Sequence, residues 1–250
     1  MSVGVLYPRE VYPFAPPKLM PRLKWIKNGQ LYFNVANNRI LVTAPGWQAH
    51  AIGTIEMFFH VTDLTVTRTL WGYWRNWPEY VFLHILATGE LRLRFVVLGV
   101  ATEHILAPVG SILPSNYYAV AVVQDGTDLH GYVNGMLTAT LLGVTSWFNT
   151  PALLAATDVE IGLLAGLNAD YIGDMALVRY YSRPLSQPEL QRNIVDLLDP
   201  DRTNLEMSLE MEEGQGATVF DKSGNGQDGA ITGAVWDRLR KWEVRSQTIR

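Results

Sequence analysis

The sequence predicts an all-β protein, a two-sheet antiparallel sandwich with one short helix near residues 186–198. Apolar and polar residues alternate with a period of two along about a dozen segments. Asp-Gly and Asn-Gly pairs, which favour tight turns, separate several of these segments. Only one segment has the spacing of a helix. Many short strands, tight turns and a single helix are typical of two sheets packed on one core.

The two ends of the chain differ in composition from its middle, which is predicted to form one domain over residues 22–236. Residues 1–21 are predicted to form an extended arm, because proline fixes φ and lacks the N–H that helices and central strands need. The prolines of this arm are Pro8, Pro13, Pro16, Pro17 and Pro21. Residues 237–250 form a locally basic tail, typical either of a solvated surface strand or of a contact with a subunit or acidic surface.

The clearest strands lie in the middle of the chain. Ile55, Met57, Phe59 and Val61 alternate with more polar residues, and Leu91, Leu93, Phe95 and Val97 do the same. The segment 116–141 contains two strands joined through Asp-Gly-Thr-Asp at 125–128. Asn134 and Gly135 then supply the positive φ angles of a hairpin turn. Each strand is therefore expected to bury one face.

The helix follows the last of the central strands. Ser186 and Glu189 form a capping box, in which each side chain bonds to a backbone N–H at the helix N-terminus. The apolar residues that follow share one face: Leu190, Ile194 and Leu197. The helix is expected to end before Pro200.

Four segments resemble parts of one known family. NYYAVAVVQDGTDLHGYVNGMLTATL at 116–141 is similar to the family's two strands with their Asp-Gly and Asn-Gly turns. The segment 158–190 is similar to the family's closing strands and capped helix, and the segments 30–45 and 204–236 are similar to its opening strands. The family is the laminin-G-like, concanavalin A-like lectin-glucanase jelly roll. The resemblance implies a jelly-roll sandwich of this type.

The order of these segments differs from that of the family. The segment 204–236 resembles the family's beginning but comes last, so the domain is predicted to be circularly permuted. The first and last strands of such sandwiches tend to be neighbours, so LEMSLEM can pair beside Met175–Tyr181. Pairing within the chain is favoured, because a short linker gives a high effective concentration. Pairing with a neighbouring molecule, in a strand-swapped assembly, is the alternative.

Composition narrows the class of partner. The net charge of -4 argues against nucleic acid as the main partner. No apolar run approaches the roughly 18 residues that a membrane-spanning helix needs. The N-terminus has neither the basic start nor the apolar segment of a classical export signal, so we expect none. The chain has no cysteine, so its stability must come from packing and hydrogen bonds.

The acidic residues do not match a glycosidase pattern, and we expect the protein not to be an enzyme. Glycoside-cleaving relatives of the family usually carry two glutamates around an aspartate on one strand. The nearest match lacks the aspartate and is expected to face solvent: Glu206, Glu210, Glu212 and Glu213. The histidines occur singly, without metal-site spacing, at His50, His60, His84, His104 and His130.

The loop DKSGNGQDG is a candidate calcium site, and calcium is the one cofactor that the sequence suggests. Asp221, Ser223 and Asn225 recur at every second position, and Asp228 adds a further oxygen ligand. The twelfth position is Thr232 rather than glutamate, so the affinity would be weak. The alternative is a tight turn in which Asp221 and Asn225 bind backbone groups.

Aromatic residues concentrate in LWGYWRNWPEY at 70–80. Trp71, Trp74 and Trp77 are candidates for a platform on which a sugar ring stacks. Strand alternation should bury at least one of Trp71 and Trp74. The alternative roles of these side chains are core packing and contact with another subunit.

These features favour a non-enzymatic structural protein of a large assembly, such as a viral capsid decoration or tail component. Such a protein would form homo-oligomers with other subunits at the virion surface, anchored by its termini. The alternative is a carbohydrate-binding, lectin-like module for surface attachment. It would be extracellular, exported without a classical signal peptide, and its partner would be a surface glycan. A glycosidase is the third hypothesis and lacks the expected residues.

Overall fold

The computed structural model describes residues 29–43, 45–76, 79–150, 158–163, 169–197 and 199–237. Within these ranges the chain forms two antiparallel sheets, which confirms the predicted all-β sandwich. Sheet A contains, in spatial order, β10 (Met136–Leu141), β9 (Leu129–Val133), β8 (Asn116–Gln124), β3 (Gly53–Val61), β12 (Gly173–Tyr181), β1 (Gln30–Phe33) and β16 (Val235–Asp237), with β13 (Leu205–Leu209) also paired to β12. Sheet B contains β14 (Thr218–Val219), β15 (Gly229–Thr232), β2 (Arg39–Thr43), β11 (Asp158–Ile161), β4 (Arg68–Asn76), β5 (Glu79–Ile85), β6 (Leu91–Val97) and β7 (Val100–Ala107).

The main hydrophobic core lies between the two sheets. The inward side chains of β3 and β6 follow the predicted period of two at Ile55, Met57, Phe59, Val61, Leu91, Leu93 and Phe95. Val97, predicted with them, lies at the end of β6 and is only partly buried. Aromatic rings fill one part of this core, and the ring centroids of Trp47 and Tyr180 lie 4.1 Å apart. Trp47 belongs to a short 3-10 helix (Trp47–Ala49). Alternation along the strands thus places one face of each sheet in the core.

The C-terminal strands complete both sheets within the chain. β13 pairs antiparallel with β12, with Val178 opposite Leu209. β15 pairs with β2 and β16 pairs with β1. The strands that come last in sequence are therefore neighbours of those that come first, as a circular permutation requires. The predicted pairing of the LEMSLEM segment beside β12, within one chain, is confirmed.

The single α-helix, α1 (Gln187–Val195), confirms the helix prediction. The N–H and the hydroxyl of Ser186 donate hydrogen bonds to Glu189 Oε2 at 2.7 and 2.6 Å. Leu190 is buried on the outer face of sheet A, the face that points away from the sandwich core. Ile194 and Leu197 also pack on this face, although Leu197 lies beyond the last helical residue.

The Asn134–Gly135 turn joins β9 to β10 as predicted. Both residues have positive φ, 51° and 73°, and the Asn134 side-chain oxygen accepts the N–H of Ala119 at 3.0 Å. A Cβ on Gly135 would lie 2.9 Å from Gln191 Cγ in α1. Glycine is therefore needed here both for its backbone angle and for the close approach of the helix.

The predicted arm, residues 1–21, and the tail beyond Asp237 lie outside the described residues, so these domain boundaries stay predictions. No helix among the described residues is long and apolar enough to cross a membrane.

Candidate functional site

Strand β4 divides the tryptophan motif between the two faces of sheet B. Trp71 has no exposed surface and packs in the core, with its ring centroid 6.4 Å from that of Trp47. Trp74, an odd number of residues away, lies on the opposite face beside Tyr80. Trp77 lies outside the described residues. A fully buried indole has no face to offer a sugar, so Trp71 is a core residue and Trp74 carries the described part of the predicted platform.

Trp74 belongs to a group of side chains on the face of sheet B that points away from the core. We call this group the outer patch: Trp74, Tyr80, Phe82, His84, Arg92, Arg94, Val96 and Glu103. The register of β4 to β7 places them side by side, with Tyr80 opposite both Trp74 and Val96. Arg94 lies opposite both Phe82 and Glu103. The intervening residues of β5, such as Leu83, point into the core.

The outer patch has an aromatic part and a polar part. Tyr80 and Phe82 are each 4% exposed, and their ring centroids are 5.6 Å apart. The His84 ring lies 4.5 Å from that of Phe82. The side chains of Arg92, Arg94 and Glu103 are 25%, 34% and 31% exposed. A ligand from solvent can therefore reach charged groups next to aromatic rings.

Two carboxylates neutralise the two guanidinium groups of the outer patch. Glu103 accepts hydrogen bonds from Arg92 and from Arg94, the latter at 3.2 Å. Glu90 accepts a second one from Arg92 at 3.2 Å. Although burial acts to raise the pKa of Glu103, the hydrogen bond from Arg92 and the nearby positive charges hold that pKa below its usual value. Glu103 is therefore ionised at neutral pH.

Four nitrogen atoms of the outer patch are buried without a hydrogen-bond partner: Trp74 Nε1, His84 Nδ1, Arg92 Nε and Arg94 Nε. Burial lowers the pKa of His84 to about 4, and the charges of the two arginines add to this effect. His84 is therefore neutral at pH 7. Buried polar groups in proteins nearly always have partners. These nitrogens have almost no surface open to solvent, so the groups of the outer patch that a ligand can reach are Trp74, Arg92, Arg94 and Glu103.

The residues of the candidate calcium loop bind one another and the backbone. Asp221 Oδ1 accepts the N–H of Ser223 at 2.9 Å, and Oδ2 accepts the N–H of Gln227 at 3.0 Å. Asp228 Oδ1 accepts the N–H of Asp221 at 2.8 Å. The side-chain amide of Asn225 donates to two backbone carbonyls of β13. This is the tight turn of the alternative interpretation, and calcium binding at Asp221, Ser223, Asn225 and Asp228 stays a prediction.

The structure brings together one group of metal-ligating residue types that the sequence analysis missed. Ligand atoms of Asp125, Asp128 and His130 all lie within 4.8 Å of one another, at the turn between β8 and β9. His130 Nε2 is 3.0 Å from Asp125 Oδ2. Burial acts to raise the pKa of Asp125, but hydrogen bonds from the Asp128 backbone, His130 and Thr127 outweigh it and lower that pKa. The spacing Asp-x-x-Asp-x-His was the available signal, since it brings His130 back beside the turn that holds both aspartates.

A sequence model of the concanavalin A-like lectin/glucanases superfamily, in its laminin-G-like form, matches residues 28–191. The chain belongs to this superfamily. The match ends before β13, as expected for a superfamily member whose usual opening strands come last. No curated protein sequence resembles this concanavalin A-like domain closely enough to count as a match.

Solved structures resemble this concanavalin A-like domain in fold. A Bacteroides ovatus protein described as a candidate carbohydrate binding protein is 18% identical, with a TM-score of 0.64 over 86% of this chain and 61% of that one. The CBM40 of Ruminococcus gnavus IT-sialidase, bound to α2,3-sialyllactose, is 17% identical, with a TM-score of 0.55 over 67% of this chain and 97% of that one. The heptameric SAP-like pentraxin of Limulus polyphemus is 14% identical, with a TM-score of 0.58 over 86% of this chain and 96% of that one. The chain thus spans 61% of the length of the Bacteroides protein.

Three of the four glutamates nearest to a glycosidase pattern have contacts within the described residues: Glu206, Glu210 and Glu213. Glu206 accepts a hydrogen bond from the Ser182 hydroxyl at 2.6 Å. Glu210 is buried, 3.6 Å from Arg179, and Glu213 lies 3.6 Å from Lys222. The expectation that these side chains all face solvent is wrong for Glu210. Its carboxylate is buried because the fully buried guanidinium of Arg179 needs a counter-charge.

Proposed function

We propose that this domain is a non-catalytic carbohydrate-binding module and that the outer patch is its sugar site. One observation carries the proposal: the partly exposed Trp74 shares one face of sheet B with the accessible side chains of Arg92, Arg94 and Glu103. A sugar has apolar ring faces that pack against aromatic side chains, and hydroxyl groups that donate and accept hydrogen bonds. The outer patch offers Trp74, which is partly exposed, for the first feature and the accessible side chains of Arg92, Arg94 and Glu103 for the second.

The similar solved structures support this function over the structural one. Two of the three described above carry carbohydrate binding in their descriptions. None of the three is described as a virion component. Fold alone does not define function, so the outer patch remains the main argument. A glycan-binding module acts where glycans are displayed, so we also propose an extracellular or cell-surface location in place of the virion surface. Assembly into homo-oligomers stays a prediction.

The charge of the outer patch favours a neutral sugar. Among the described residues, the guanidinium groups of Arg92 and Arg94 face the carboxylates of Glu90 and Glu103. His84 is uncharged at pH 7, because burial lowers its pKa to about 4. An acidic sugar would have to compete with Glu103 for both arginines. Hydroxyl groups can instead bind the paired side chains without separating them.

The test is a glycan panel followed by calorimetric titration of the best ligand. We expect a neutral glycan to bind, and we expect Arg94→Ala to weaken it at least about tenfold, the loss of one charge-assisted hydrogen bond. Arg202→Ala is the matched control, since Arg202 is an exposed arginine in the segment before β13. Equal affinities of the two variants would place the sugar elsewhere. Failure of every glycan in the panel to bind would refute the function itself.

A further inference from the structure

Strand β7 forms one edge of sheet B. Among the described strands it pairs with β6 alone. From Val100 to Ile105 each residue is exposed except His104, which is partly buried. We call the side of this segment that points away from β6 the open edge. The backbone N–H and C=O groups along such an edge can pair with a further strand.

The hairpin between β6 and β7 determines which backbone groups face the open edge. The two strands are joined by the two-residue turn Leu98–Gly99, in which φ is 51° and 78°. In such a hairpin the residues that flank the turn form a hydrogen-bonded pair, and bonded pairs recur at every second residue. The residues between these pairs direct their N–H and C=O groups to the open edge: Ala101, Glu103 and Ile105.

The open edge lacks the features that usually prevent strand edges from pairing. Such edges are normally very short or carry lysine or proline. β14 and β16, at the ends of the two sheets, have two and three residues, whereas β7 has eight. Residues 98–106 contain neither lysine nor proline. Leu98, Val100 and Ile105 are 79%, 68% and 46% exposed, which favours a partner that covers them.

A second copy of the chain fits the open edge better than the ends of the same chain do. β7 meets sheet A at β10, where the Thr138 hydroxyl donates to the Leu106 carbonyl at 2.6 Å. The two ends of the chain continue from β1 and β16, at the other end of sheet A. An antiparallel edge is also complementary to itself, because a two-fold axis brings each donor opposite an acceptor.

Charge and an existing hydrogen bond restrict the register of such a pair. A two-fold axis places one residue of β7 directly opposite the same residue of the copy. If that residue were Glu103, two carboxylates would face each other, which is unfavourable. If it were His104, the copy would have to pair with Leu106, whose carbonyl already accepts the Thr138 hydroxyl. An axis nearer the turn, at Ala101, would pair fewer residues of β7.

We propose that β7 pairs antiparallel with β7 of a second copy, with Thr102 opposite the partner's Thr102, so that the dimer has one continuous sheet. Ala101 and Glu103 then exchange backbone bonds with the partner's Glu103 and Ala101, about four bonds in all. Ile105 lies opposite the partner's Gly99. A Cβ at Gly99 would have no atom within 4 Å, so there is room for the isoleucine side chain.

The proposed register also keeps like charges apart. The two Glu103 carboxylates are diagonal rather than directly opposite, and each already accepts hydrogen bonds from Arg92 and Arg94. The two-fold axis is perpendicular to the sheet, so the outer patches of both copies lie on the same face. The pairing itself does not depend on what the outer patch binds.

Sedimentation velocity of the full chain tests the dimer. We expect the dimer fraction to rise between about 1 μM and 1 mM, because a strand-edge interface is small. A chain that stays monomeric would overturn the proposal. Slow exchange of the amide hydrogens of Ala101, Glu103 and Ile105 in such a monomer would mean that another segment of the same chain covers the open edge.

Two variants at one position test whether the open edge is the interface. Ala101→Pro removes an N–H that faces the open edge and keeps the bonds to β6. Ala101→Ser is the control, because it keeps that N–H. We expect the dissociation constant of the Ala101→Pro dimer to be at least about tenfold higher, since each subunit loses a backbone bond. Equal dissociation constants would overturn the proposal.

Charges at Thr102 test the register. Thr102 is exposed and would face its own copy, so Thr102→Lys and Thr102→Glu each place two like charges together. We expect each variant alone to dimerise at least about tenfold more weakly than the native chain, and an equimolar mixture to regain the native dimer. A mixture no more dimeric than either variant alone would overturn the proposed pairing.

Discussion

The buried carboxyl of Glu56 makes stability depend on pH. Burial raises its pKa from 4.5 to about 7, although Arg179 and Asn193 act in the other direction. The folded state therefore holds this proton more tightly than the unfolded state does. Stability from this group is complete below about pH 4.5 and falls as the pH rises to about 7, with a total change of up to about 3 kcal/mol.

Replacing Glu56 tests this effect. Glutamine cannot bind or release this proton. We therefore expect residue 56 in Glu56→Gln to contribute nearly the same free energy of unfolding at pH 5 and at pH 8, measured by urea unfolding. Relative to the native chain, the variant should gain stability between these two pH values. An unchanged pH dependence would mean that Glu56 does not bind a proton in this range.

The buried imidazole of His84 has the opposite effect on stability. Burial lowers its pKa from 6.5 to about 4, so the unfolded state binds the proton more tightly. Stability from neutral His84 is complete above pH 6.5 and is lost as the pH falls to about 4, again by up to about 3 kcal/mol. The effects of His84 and Glu56 partly cancel between about pH 4.5 and 6.5.

His84→Gln should expose the contribution of Glu56. We expect this variant to lose stability more steeply than the native chain as the pH rises from 5 to 7, measured by urea unfolding. Glu56→Gln serves as the opposite control, because its stability should rise over the same interval. Parallel curves for the two variants would contradict the assigned pKa directions.

At the scale of elements, the β9–β10 turn is held both by its backbone angle and by helix α1. Gly135 and Gly143 have similar positive φ angles, 73° and 71°. A Cβ at Gly135 would lie 2.9 Å from Gln191 Cγ, whereas a Cβ at Gly143 would have no atom within 4 Å. Comparison of the two positions therefore separates backbone strain from contact with the helix.

We expect Gly143→Ala to cost about 1 kcal/mol, the usual cost of a left-handed angle without glycine. Gly135→Ala should cost more, about 2 kcal/mol or above, because Gln191 must also move. Both values come from denaturant unfolding. Equal losses would show that α1 adjusts without cost.

The elements that the sequence predicts well are those with local signals. The capping box of Ser186 and Glu189 and the Asn134–Gly135 turn both depend on residues within a few positions of one another. The outer patch depends on register instead, because Trp74 meets Tyr80, and Arg94 meets Glu103, only through strand pairing. The sequence of β4 alone therefore suggested a tryptophan platform but not its arginine and glutamate neighbours.

Local sequence patterns also did not predict that the charged side chain of Glu210 is buried. Glu210 follows the last residue of β13, and its partner Arg179 lies in β12, so the ion pair exists only because the permuted strand pairs there. From the sequence alone, the glutamate looked like a surface residue.

At the scale of the whole molecule, the C-terminal strands are needed to complete both sheets. A chain that ends at Pro200 loses β13 to β16, which pair with β12, β2 and β1. It also leaves Arg179 without Ser208 and Glu210, so a buried charge loses its partners. We expect this shorter chain to show no cooperative thermal unfolding, while a chain that ends at Asp237 retains it. A cooperative transition in the shorter chain would mean that these strands are an addition to the fold.

The central claim is that the outer patch of sheet B binds a neutral sugar. The most direct measurement is titration of the ¹⁵N-labelled full chain with the best neutral glycan of the panel, followed by amide chemical shifts. We predict that the largest shift changes fall in β4 to β7, around Trp74, Phe82 and Arg94. Shift changes confined to the turn at 125–130 or to the loop at 221–228 would contradict the claim and move the site away from the outer patch.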